Sequence, residues 1–152
     1  LPNCVNANFE ILCIFSDGCR DRKAFVLIAI YHPPRPTYVT SSLTAALADA
    51  IEFLRYTYND TLIILAGDFN QLNTCFLSTE LGMFLLSTVA THGKNTLDKI
   101  FVSTDKLYHA FSFKSTIKTK HQAVLAHLQV MLLGFRHQLN VKFLCMTETA
   151  PP

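Results

Sequence analysis

Nowhere in these 152 residues do two cysteines form a C-x-x-C pair. Small structural zinc sites commonly rest on such pairs, so their absence argues against a zinc-organised domain. The five cysteines, Cys4, Cys13, Cys19, Cys75 and Cys145, are odd in number and widely spaced. They read as buried, reduced thiols of an intracellular protein, nuclear or cytoplasmic, rather than as a disulfide framework. A long hydrophobic run is missing too. The longest near-apolar stretch, AVLAHLQVMLLGF at 123–135, is broken by His127 and Gln129 and is shorter than the roughly 20 residues that span a bilayer. No basic-then-apolar leader opens the chain, and the expectation is a protein that is neither secreted nor transmembrane. Charged residues are scarce at 16%, but no low-complexity run or internal repeat accompanies that scarcity. With 50% hydrophobic residues the chain can bury one real core. It begins with Leu1 rather than Met, which reads as a fragment or a processed product.

Net charge is only +2, yet it is unevenly spread: residues 1–93 sum to −3 and residues 94–152 to +5. Lys94, Lys99, Lys106, Lys114, Lys118 and Lys120 supply most of the positive half. Such a segment could form a face that holds phosphates, or it could be an ordinary solvated surface, and charge alone favours the second reading.

The order of elements follows from apolar spacing and breakers. FEILCIF (9–15) and AFVLIAIY (24–31) read as two strands of a hairpin around Asp17-Gly18, the second continuous enough to be buried on both faces. HPPRPTY then breaks regular structure, because proline fixes φ and removes a donor. A helix is expected from Thr40–Ser42, whose hydroxyls suit an N-cap, with Leu43, Leu47, Ala50, Ile51 and Leu54 forming its apolar face. TLIILA (61–66) is the next strand, followed by a second helix over CFLSTELGMFLLS (75–87). LDKIFVS (97–103), YHAFSFK (108–114) and AVLAHLQV (123–130) complete the strands. Strands alternating with helices imply α/β layers, and the hairpin implies a mixed sheet with outer helices.

Three segments carry candidate chemistry. In GDFN, Asp68 and Asn70 stand two apart and in extended backbone would point the same way. A carboxylate can orient or deprotonate water and a carboxamide can donate to a phosphate oxygen; the plainer alternative is an Asx-type turn after a strand. Gly67 would let the chain turn and give a ligand room to approach. In NTLDKIFVS, Asp98 begins an apolar strand. It is either a buried carboxylate that needs a partner or an exposed one beside Lys99. In KHQAV, His121 precedes a strand, and Asp98 is its obvious candidate partner; a surface or capping histidine is the alternative. His127 reads as structural, and His32 before Pro33-Pro34 could touch a ligand but reads first as a turn former.

Taken in order, AIYHPP, LIILAGDFN, TLDKIFVS and KHQAV resemble the endonuclease/exonuclease/phosphatase superfamily. The likeness is to the apurinic-type endonuclease domain of non-LTR (LINE-like, jockey-like) retrotransposons, and it covers about residues 9–130. It implies a partial domain over 1–131, an unassigned tail at 132–152, and a fold that is the C-terminal portion of a four-layer α/β sandwich (DNase I-like). The implied activity is Mg²⁺-dependent phosphodiester hydrolysis, nicking target DNA before reverse transcription, with a reverse transcriptase domain on the same full-length chain. The implied catalytic set is Asp68 for the attacking water, Asn70 for the scissile phosphate, Asp98 orienting His121, His121 at the phosphate or in proton transfer, and Tyr31 near the phosphate. The sequence departs from the family pattern at Lys120, where an Asp that helps hold the metal is expected; an early Glu ligand has no counterpart either. These departures imply impaired activity in a truncated chain, and the alternative is a catalytically dead remnant that binds nucleic acid. Superfamily relatives that hydrolyse phosphoinositides, sphingomyelin or RNA ends leave the substrate open. A truncated domain would also expose apolar surface and strand edges.

Overall fold

The computed structural model describes residues 10–18, 24–86, 89–104, 108–116 and 119–128. The 132–152 tail, Cys4, Cys19, Cys145, Lys106 and Lys118 therefore lie outside the described residues.

The fold is mixed α/β. β1 (Glu10–Ser16) and β2 (Phe25–Tyr31) pair antiparallel, as the hairpin reading expects. The chain then runs through the proline segment into α1 (Thr40–Thr57) and returns as β3 (Leu62–Asp68), parallel to β2. After α2 (Cys75–Thr79) come β4 (Phe84–Leu85) and β5 (Asp98–Val102), the latter antiparallel to β3. The five strands form one sheet in the order β1-β2-β3-β5-β4. β6 (Tyr108–Phe113) and β7 (Ala123–Leu128) make a separate antiparallel pair.

Strand alternation sorts the core into two clusters. Val26, Ile28 and Ile30 of β2 and Ile63 and Leu65 of β3 face α1, which buries Leu43, Leu47, Ile51 and Leu54 against them. Each of these aliphatic side chains contributes about 1.5–3 kcal/mol by leaving water, which outweighs the modest propensities along the helix. The opposite face carries Ile64, Ile100 and Val102, packed against Val124 and Ala126 of β7. The result is helix, five-stranded sheet and two-stranded ribbon in three stacked layers.

Several sequence expectations need correction. α1 is capped by Val39, whose side chain offers no hydrogen bond, rather than by a hydroxyl residue; Thr40 is already helical. The second helix spans five residues instead of thirteen. Gly82, at φ +54°, turns the chain out of the helix, and Phe84–Leu85 gain more by pairing with Phe101 and Val102 at the sheet edge. β2 is buried on one face and only half-buried on the other, because a two-stranded ribbon cannot cover a five-stranded sheet. The uncovered portion leaves Leu12 58% and Ile14 44% exposed on β1. The outward face of the ribbon likewise shows Phe111 and Phe113, in keeping with the expected exposure of apolar surface. Cys75 is an exposed thiol at the start of α2, not a buried one.

Gly67 lies inside β3, and the close approach it permits is that of the neighbouring strand. A Cβ there would stand 1.8 Å from the Ile30 carbonyl oxygen. Gly67→Ala must part β2 from β3, and we expect a loss of roughly 3–5 kcal/mol, the range for severe backbone and packing conflicts. Urea unfolding would check it, and a loss below about 1 kcal/mol, typical of an ordinary substitution, would contradict the packing described.

Candidate functional site

Asp68 is the last residue of β3. Its backbone is fixed from both sides: Tyr31 stands opposite it on β2 and Asp98 on β5. The ladders continue one step beyond, with the His32 N–H donating to the Asp68 carbonyl at 2.9 Å and the Phe69 N–H to that of Leu97 at 2.9 Å. By alternation Asp68 shares its face with Ile64, and Asp98 shares its face with Ile100 and Val102. Both carboxylates therefore point toward the ribbon layer rather than toward α1. Each is only 4% exposed, which rules out the reading of Asp98 as an exposed strand-edge residue. Lys99, its neighbour, turns to the other face, where its ammonium donates to the Thr74 hydroxyl at 2.9 Å and lies over the Phe69 ring. Lys99 thus lies on the face away from the ribbon, which carries Lys114 and Lys120.

His121 reaches this pair from the segment leading into β7. Its Nδ1 lies 2.8 Å from Asp98 Oδ2. An ionised carboxylate only accepts, so with Asp98 ionised Nδ1 carries the proton and Nε2 is the nitrogen left for a ligand. One ligand atom each from Asp68, Asp98 and His121 falls within 4.8 Å of the others, a group that could hold a metal ion.

Asn70 does not continue the strand. It adopts φ +45°, a left-handed conformation that Asn tolerates better than most residues. Its N–H donates to Asp68 Oδ1 at 2.9 Å, so the Asx-type turn is present. Its carboxamide donates to the His32 carbonyl at 2.7 Å. The expectation that Asp68 and Asn70 point together from extended backbone fails because the strand ends between them. Asn70 nonetheless stays beside the cluster and ties the 68–70 turn to the chain after β2. His32 is buried, with Nδ1 2.7 Å from the Tyr38 hydroxyl, and shapes that turn as expected. Tyr31 is brought next to Asp68 by register, but among the described residues no hydrogen bond joins it to Asp68, Asp98 or His121. His127 lies on the ribbon's outward face against Phe111 and His109, away from the cluster. Lys120 is exposed and contributes nothing to the cluster; with Lys114, Thr119 and His121 it lines an open groove of about 730 Å³.

Sequence reading missed Thr91 and His92. The only buried polar or charged side chains among the described residues are His32, Asp68, Thr91 and Asp98. Burying polar groups is costly unless each is satisfied, so their concentration at one rim marks a built site. No sequence signal singles out Thr91, which sits in the short T-H-G-K-N turn ahead of Leu97, where Gly93 takes a positive φ of +60°.

Burial raises the Asp68 carboxyl above the ordinary range; the Asn70 N–H opposes this, the Asp98 charge adds to it, and His121 opposes it. The folded protein therefore holds the Asp68 proton more tightly than the unfolded chain. That advantage is full below the ordinary carboxylate pKa and is lost as pH rises through the raised value. Asp68→Asn never ionises, so its stability should gain on that of the wild type between about pH 3 and about pH 7. Urea midpoints at the two pH values would show it, and a gap that does not widen contradicts the stated environment.

Among the described residues no helix is long and apolar enough to cross a membrane. No family model matches the chain, and no curated protein or solved structure shows significant similarity to it.

Proposed function

We propose that this chain carries the site of a metal-dependent phosphodiesterase of the endonuclease/exonuclease/phosphatase type, with DNA as substrate. The observation that carries the reading is the convergence of Asp68, Asp98 and His121 at one sheet rim, with His121 bonded to Asp98 at 2.8 Å. These residues lie far apart in sequence and follow the order the GDFN, TLDKIFVS and KHQAV resemblance requires. In this reading the helix, sheet and ribbon layers correspond to part of a four-layer sandwich, and the retrotransposon branch supplies the role of nicking target DNA.

The donor set suits a hard divalent cation. Mg²⁺ keeps several waters and needs only one or two protein carboxylates, and Asp68 and Asp98 would hold it. Once bound, such an ion would offset phosphate charge and acidify a water. Asp68, which such an ion would keep ionised, would accept a hydrogen bond from the attacking water and so align it. Asp98 holds the His121 ring in one orientation and leaves Nε2 for a phosphate oxygen or the leaving group. Asn70 sets the position of the Asp68 carboxylate through its N–H.

A second reading rests on Lys120. It is exposed and follows Thr119 into the groove lining beside His121, which Lys114, also exposed, helps to form. Cations there favour phosphate binding without adding a metal ligand, as in a non-catalytic remnant that holds nucleic acid.

Nicking of supercoiled plasmid with Mg²⁺ separates the two. The first reading predicts slow nicking, reduced on the order of 10²–10⁴-fold by Asp68→Ala and increased by Lys120→Asp, which restores a carboxylate. Salt-sensitive DNA binding with no nicking by the wild type or by Lys120→Asp would establish the remnant reading instead.

A further inference from the structure

Thr91 takes no part in the chemistry above, yet it is the most buried polar side chain at the rim, at 0% exposure. Its hydroxyl oxygen accepts the N–H groups of Leu97 and Asp98, both at 3.0 Å. Its carbonyl accepts the N–H of Gln122 at 2.7 Å. One residue thereby grips the start of the strand that carries Asp98 and the residue next to His121. Thr91 is itself held by a tight turn. Its N–H donates to the Asn95 carbonyl at 2.9 Å, and His92 and Asn95 exchange backbone bonds at 3.0 and 2.9 Å. His92, the following residue, lays its ring against that of His121, with centroids 4.9 Å apart and planes 41° apart.

We propose that Thr91 and His92 are positioning residues that hold His121 against Asp98. Thr91 sets the separation of the two backbones, and His92 sets the plane of the imidazole. Asp98 and His121 sit on separate segments, and neither β5 nor β7 pairs with the other. Within the described structure no ladder fixes their mutual distance. The Thr91 bonds supply that missing connection, since loss of the hydroxyl would leave the buried Asp98 N–H and the part-buried Leu97 N–H without their acceptor. The kinetic consequence rests on the phosphodiesterase reading; the positional one does not.

Two measurements on the full chain test this. The first is the imidazole ¹H–¹⁵N spectrum of His121, in which a proton shared with Asp98 gives a downfield Nδ1–H signal. The second is plasmid nicking, resolved into kcat and KM. Thr91→Val keeps the shape and removes the hydroxyl. It should shift or broaden the His121 signal and lower kcat by about tenfold to a hundredfold, the cost of a small misplacement, with KM unchanged. Thr91→Ser should restore both. His92→Phe, which retains a ring to pack, should leave the signal in place, whereas His92→Ala should move it. An unchanged His121 signal in folded Thr91→Val overturns the proposal. If Thr91→Val does not fold, an unchanged signal in His92→Ala overturns it equally. A chain that nicks no DNA but whose His121 signal responds to these changes supports the positioning role while removing the phosphodiesterase reading.

Discussion

Two buried carboxylates face each other across the β3–β5 ladder, Asp68 opposite Asp98, and the rest of the rim is arranged around that conflict. Like charges in register repel, and burial removes the water that would soften the repulsion. The chain offsets this locally in two ways. The Asn70 N–H satisfies one oxygen of Asp68, and the His121 imidazole satisfies one oxygen of Asp98. What remains is an excess of negative potential with Asp68 favouring its proton. A site in that condition will take up a proton or a cation, and this is the physical basis for reading it as chemical machinery rather than as a structural ion pair.

The fold exists, in this view, to hold that arrangement. Gly67 allows β2 and β3 to approach closely just before Asp68, and the parallel β2–β3 ladder ends with both chains turning at the same rim. The ribbon of β6 and β7 delivers His121 from above the same sheet face, packed through Val124 and Ala126 onto Ile64, Ile100 and Val102. A hydrophobic contact thus places the histidine layer, and polar contacts through Thr91 set the final distance.

Much of this was legible in the sequence because the signals were strong and local. The apolar stripe of α1, the β1–β2 hairpin and the places of β3 and β5 follow from periodicity and breakers, although β3 runs two residues past the expected TLIILA, to Asp68. Asp98 and His121 are candidate partners on chemical grounds, a carboxylate in an apolar strand needing one, but the residues alone favour an exposed Asp98 and leave a surface His121 open. The failures have equally specific causes. The 75–87 segment has helical composition, but Gly82 and an open sheet edge outweigh a weak propensity. Asn70 follows the strand end by two residues, and alternation does not extend past a left-handed residue. Thr91 was invisible because a single threonine in a polar turn carries no periodic signal; its importance arises only when Leu97, Asp98 and Gln122 converge on it.

The most direct test of the central claim is where a divalent cation binds. Mn²⁺ titrated into isotopically labelled protein broadens the resonances nearest to it. The account predicts that signals of Asp68, Phe69, Asp98 and His121 vanish first and that Asp68→Asn sharply weakens the effect. Broadening centred elsewhere, or none at ion concentrations that saturate ordinary carboxylate sites, would contradict it.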